Sequence, residues 1–219
     1  MAVRTPDDLA EALARSLAWR KRELSSVGHE IERARRHVQP ILLRSAICLL
    51  YAHWEGFVRT ASTAYVELVA RRRLRVGELS RGLLALSLRA ELSAAVASHR
   101  IAEHRAVVDA VLDEDRRTSI RWKDAITPRS NLTYEALEEI LQVLDFDRSR
   151  YATRRALINE KLVHRRNAVA HGEQLDLGRA DYRDLQSSVL EMIEWFRDEI
   201  ETSAVSQAYR KARTRAAGA

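Results

Sequence analysis

The residues of this chain best suited to chemistry lie together in Arg166-Asn167-Ala168-Val169-Ala170-His171, closed by Gly172. They combine a permanent cation, an amide and an imidazole. A guanidinium forks onto a phosphate at any useful pH. An imidazole moves protons near neutrality, which is what general acid–base chemistry needs. Such a set can bind and cleave RNA without a metal. It also suits an ordinary helix end, where histidine precedes a terminal glycine, so the surroundings decide.

Leu157, Ile158, Leu162 and Val169 follow helical spacing, which predicts one helix over residues 150 to 171. Gly172 suits the left-handed position just past its end. At about 100° per residue, Asn167 and His171 share a face, while Arg166 and His171 stand about 140° apart. The two converge if the last turn loosens at Gly172, or if a second copy of the helix supplies the missing partner. His171 also sits where the helix dipole favours a cation.

The elements that must position this set are helical. Few prolines and glycines punctuate the 219 residues, and Ala, Leu, Arg and Glu dominate, so an all-α, single-domain antiparallel bundle is expected. Thr5-Pro6-Asp7-Asp8 is a helix start, with a cap, a first-turn proline and acids facing the dipole. That helix is expected to reach about residue 37, and Pro40 restarts the chain. A second helix covers 41 to 75, one or two shorter ones cover 77 to 112, and 113 to 130, with Trp122 and Pro128, reads as a loop. Thr133 caps a helix reaching Leu144. The last helix starts near Arg179, with Tyr182, Leu185, Val189, Met192 and Phe196 as its buried stripe. Trp19, Trp54 and Trp195 read as core or interface, and the single cysteine, Cys48, as core. There is no secretory leader pattern and no run of 18 apolar residues, which leads to the expectation of a soluble, cytoplasmic protein with no membrane partner.

The formal charge of +6 and sequence pI of 9.8 favour a polyanionic partner. Basic clusters fall at 71 to 75, at Arg116 and Arg117 with Arg121 and Lys123, at His164, Arg165 and Arg166, and in the tail over 205 to 219. Trp122 is the one aromatic among them placed to stack a base. The remaining histidines show no His-x3-His pattern, and no Cys-x2-Cys, glycine-rich phosphate loop or Gly-x-Ser-x-Gly elbow occurs, so no metal and no cofactor is expected.

Arg166-Asn167-x-x-x-His171 resembles the Arg-x4–6-His signature of the HEPN superfamily. Two other stretches resemble its MAE-type bacterial branch: Leu42-Leu43-Arg44-Ser45-Ala46 through Ala52-His53-Trp54-Glu55-Gly56-Phe57-Val58, and Ser130-Asn131-Leu132 with Leu137-Glu138-Glu139-Ile140-Leu141. The resemblance implies one HEPN-like domain over 1–219, with a core of about 40–202 and two-fold dimerisation through the signature helices. It also places the helix of Glu55 beside the signature helix. A partly buried glutamate needs a cation, which Arg166 or His171 would supply, with Glu55 then orienting the imidazole or holding the arginine; a structural ion pair or an exposed acid is the competing reading. Some HEPN toxins carry a tyrosine two residues past the histidine, the target of a silencing modification; here Glu173 stands there.

The resemblance implies a metal-independent endoribonuclease, with catalytic Arg166 and His171, supporting Asn167 and Glu55, and RNA contacts from His164, Arg165, Arg121 and Lys123. It would leave 2′,3′-cyclic phosphate and 5′-hydroxyl ends. As a toxin or phage-defence effector it would answer to a cognate antitoxin or defence partner. The alternative is a non-catalytic HEPN module that binds RNA or a protein partner.

Overall fold

The computed structural model describes residues 2–126 and 131–211; Pro128, Ser130 and the tail past Lys211 lie outside the described residues. Helix α1 (Pro6–Arg33) begins at the expected cap: the Thr5 hydroxyl accepts from the Asp8 amide and the Asp8 carboxylate accepts from the Thr5 amide. It stops short of residue 37 because Ala34 turns extended. Helix α2 (Gln39–Arg72) is the axis of the core, with Trp54, Phe57, Val58, Ala61 and Tyr65 fully enclosed. Its apolar stretch matches a membrane span in length and composition, yet half of that window is buried inside the protein. Cys48, on this helix, is half-buried rather than enclosed.

Beyond α2 come three short helices, α3 (Arg81–Ser87), α4 (Arg89–Ala97) and α5 (Ile101–Leu112), where the spacing predicts one or two. Helices α4 and α5 pack on each other as an arm in which Ala110 is the one buried residue. The irregular stretch after them is tied back to the end of α2. The Val76 amide donates to the Arg116 carbonyl at 2.9 Å, and the Thr118 amide to the Leu74 carbonyl at 2.9 Å. Helix α6 (Tyr134–Leu144) is capped by Thr133, as its sequence predicts. It holds α3 tightly, since the Gly82 amide donates to the Asp145 carboxylate at 2.9 Å.

The expected single helix over 150 to 171 is three pieces: α7 (Ser149–Ala152), a π-helical stretch (Leu157–His164), and α8 (Arg165–Ala170) continuing from it. A π-helix bonds i to i+5 and holds more residues per turn, so side chains past it are rotated from the α register. Ile158 and Leu162 are buried as the spacing predicts, but at the far end Ala168 takes the buried position and Val169 is only half-buried. Helix α9 (Arg179–Ser206) lies against α1 and α2, and its whole predicted stripe is buried. Among the described residues there is no β-strand; the fold is all-α.

Candidate functional site

Helix α8 packs on α2, which sets Arg166 over Tyr51 with the guanidinium carbon 5.0 Å from the ring centroid. The ring face attracts a cation without neutralising it. Arg166 Nη1 also donates to the Asn167 side-chain oxygen at 2.9 Å, and Asn131 Nδ2 donates to the same oxygen at 3.0 Å. Among the described residues no carboxylate pairs with Arg166. Its charge is held in place by a ring and an amide, both neutral, and stays available to an anion.

Glu55 is half-buried and bonds the Tyr51 hydroxyl, with neither Arg166 nor His171 as an ion-pair partner among the described residues. The expected cation is replaced by a phenol because Tyr51 stands one helical turn before Glu55, between it and Arg166. The Tyr51 hydroxyl also accepts from the Leu132 amide at 2.7 Å. Burial first, and the bond to Glu55 second, push the Tyr51 phenol well above its usual range, so it stays protonated and donates to Glu55. Sequence reasoning passed over Tyr51 and Asn131 as site residues. The i, i+4 spacing of Tyr51 and Glu55 was the signal for the first.

His171 caps α8 and is exposed, with no side-chain partner among the described residues. The helix does not loosen at its end. The Gly172 amide donates to the Val169 carbonyl at 3.1 Å and the Glu173 amide to the Ala168 carbonyl at 2.8 Å, with Gly172 at φ +78°. This is the Schellman closure that the glycine foretold. α-Helical geometry therefore persists through Ala170, and Arg166 and His171 leave it about 140° apart, the first towards α2 and the second to solvent. Helix geometry alone therefore does not aim the two side chains at a common point.

The other basic residues fall into two groups. His164, exposed, and Arg165, half-buried, extend the signature helix. Arg121 and Lys123, both exposed, flank Trp122 beside the other end of α2, with Lys123 Nζ 5.7 Å from the indole centroid. The stretch of α2 from Tyr51 to Arg71 spans about 30 Å at 1.5 Å per residue. Among the described residues no three His, Cys, Asp or Glu side chains gather as a metal site.

Compared with known proteins, the chain matches the family model described as MAE_28990-like HEPN over residues 9–209. The chain belongs to this HEPN family. No curated protein and no solved structure matches it. HEPN domains are commonly ribonucleases or nucleotide-binding modules, and the signature residues of this HEPN chain are the ones that the helix α8 geometry sets apart.

Proposed function

We propose that this HEPN protein is a metal-independent endoribonuclease. The observation that carries the reading is the un-neutralised guanidinium of Arg166, fixed by the Tyr51 ring and the Asn167 amide on the signature helix. A fixed cation without a carboxylate is what a scissile phosphate needs as charge builds on it. Because Arg166 and His171 diverge within one chain, the working site is made by two copies, with the imidazole of one beside the guanidinium of the other.

In this reading His171 takes the proton of the ribose 2′-hydroxyl, whose oxygen attacks the adjacent phosphorus. The bond to the 5′-oxygen breaks and that oxygen is protonated, from a histidinium or from water. The products are a 2′,3′-cyclic phosphate and a 5′-hydroxyl. Asn167 sets the direction of Arg166, and Glu55 acts through Tyr51. The test is purified protein in EDTA on RNA and on DNA of the same sequence. Cleavage of RNA alone, lost in His171→Ala and in Arg166→Ala, supports it; cutting that persists in both variants, or that consumes DNA equally, defeats it.

The alternative, an RNA-binding module without cleavage, also draws on the divergence of Arg166 and His171. It expects salt-sensitive RNA affinity with intact substrate after long incubation. The proposed biological role is a toxin or defence effector restrained by a partner. Growth arrest on expression of the parent and normal growth with Arg166→Ala supports that role, and equal growth of the two strains counts against it.

A further inference from the structure

The second group of basic residues frames a cavity of about 540 Å³ where α2 ends. Arg4, Arg71, Arg72, Arg73, Ser119 and Trp122 line it. Arg71 is already committed: its Nε and Nη2 hold the buried Glu67 carboxylate at 2.8 and 2.6 Å. Arg72 and Arg73 have no carboxylate partner among the described residues, and Arg4, whose charge is partly met by the Asp8 carboxylate, adds a third arginine to the lining. The negative end of the α2 dipole favours a cation or two there, but it needs neither a cavity nor an indole.

Two details point to a ligand. Arg73 occupies a left-handed backbone position, φ 48°, where a helix usually ends in glycine. The chain accepts that conformation at a non-glycine residue and sets an arginine in the cavity lining. Trp122 is half-buried, packed on the core yet lining the cavity, with the Arg71 guanidinium carbon 6.0 Å from its ring centroid. An indole beside unpaired arginines offers stacking for a base and charge for its phosphates, the combination by which single-stranded nucleic acids are held.

We propose that this pocket anchors single-stranded RNA at a distance from the signature helix, stacking one base on Trp122 and setting flanking phosphates on Arg4, Arg72 and Arg73. The proposal rests on the RNA reading of the signature site and extends it. Thr118 is bonded to Leu74 at the end of α2, and Arg121 and Lys123 follow it beside Trp122. The separation of about 30 Å corresponds to about nine nucleotides at a stacked spacing of 3.4 Å, fewer for a stretched strand. The anchor therefore favours long single strands over short ones.

The test uses the full chain carrying Arg166→Ala, to prevent cleavage, with a fluorescein-labelled single-stranded RNA read by anisotropy across a salt series. Trp122→Ala weakens binding about 5- to 150-fold. Arg72→Ala with Arg73→Gly flattens the log–log salt slope by about 1.4; the glycine relieves the left-handed backbone, so this variant keeps the fold if Trp122→Ala does not. Unchanged affinity and unchanged slope in folded variants overturn the pocket. So does loss of binding to polyglutamate with RNA affinity intact, which would make the site a dock for an acidic protein. The two readings fail separately. A parent that binds RNA through Trp122 but never cuts it leaves the pocket standing without the nuclease. A parent that cuts RNA, with variants that bind it as the parent does, leaves the nuclease without the pocket.

Discussion

Tyr51 offers two variants that take the site apart by function. Its hydroxyl donates to Glu55 and accepts from the Leu132 amide, while its ring carries Arg166. Tyr51→Phe keeps the ring and removes the hydroxyl. Leu132 is fully buried, so its amide loses its partner, at a cost of about 1–3 kcal/mol; Glu55, half-buried, recovers part of its loss from water. A net cost of about 2 kcal/mol lowers the melting temperature of a chain this long by about 4–8 °C. Arg166 stays on its ring, so cleavage per folded molecule holds within about twofold of the parent. Tyr51→Leu removes the ring as well. A guanidinium on a partly desolvated ring is held by about 1 kcal/mol, which is worth about fivefold in rate when orientation is what is lost. The assay is a thermal melt by circular dichroism, with RNA cleavage measured below both midpoints. A Leu variant that cuts like the parent, or a Phe variant that loses as much rate as the Leu variant, refutes the ring as the positioning group for Arg166.

The remaining predictions concern the frame around the site. Gly82→Ala places a methyl 2.4 Å from the Val143 carbonyl oxygen and 2.5 Å from that of Gln142, both backbone. The overlap outweighs the gain of about 1 kcal/mol in helix propensity, so the melting point falls by several degrees, and a variant as stable as the parent refutes the close approach of α3 to α6. Gly172→Ala meets no atom within 4 Å but inherits φ +78°; it loses about 1–2 kcal/mol from backbone strain alone, read as a small drop in the melt. His53 is 3 % exposed beside Glu23 and Trp19, and burial, reinforced by the nearby Arg20, holds its imidazole below the ordinary histidine value while Glu23 opposes. The unfolded chain therefore takes up this proton more readily. Stability from His53 is complete above pH of about 6.5 and is lost as pH falls through the folded value. His53→Phe flattens the fall in melting point between neutral and mildly acid pH, and an unaltered profile contradicts the assignment.

Much of this frame is legible in the residues. The Thr5 and Thr133 caps, the α9 stripe and the left-handed Gly172 follow from side-chain chemistry within one or two turns, where local rules are strongest. The π-helical turns before Arg165 are not, because apolar spacing near 100° per residue fits a short α-helix as well, and the register error shows only at Ala168 and Val169. Tyr51 was hidden for a related reason. A tyrosine in an apolar run reads as core, and it is core, 3 % exposed; its role depends on α8 and the Asn131–Leu132 segment converging on it from far along the chain. Trp19, read as core or interface, is 45 % exposed, with the Arg20 guanidinium carbon 4.5 Å from its ring, so only the core half of that reading fails.

Arg71 and Arg166 show what separates a structural cation from an available one. Both sit near an aromatic ring, but Arg71 grips the buried Glu67 carboxylate and its charge is spent, whereas among the described residues Arg166 bonds only neutral groups. If that difference makes the site, a carboxylate in the right place should silence it without disturbing the fold. Asn167→Asp does this isosterically. The side-chain oxygen that accepts from Arg166 at 2.9 Å and from Asn131 at 3.0 Å is kept, and both hydrogen bonds become charge-assisted. The variant therefore melts no lower than the parent. Its guanidinium is now paired, so RNA affinity drops and the salt slope flattens by about 0.7, the share of one phosphate contact on a single strand. An Asn167→Asp protein that binds and cuts RNA with the parent's affinity, slope and rate would show that the charge of Arg166 does no work on the substrate.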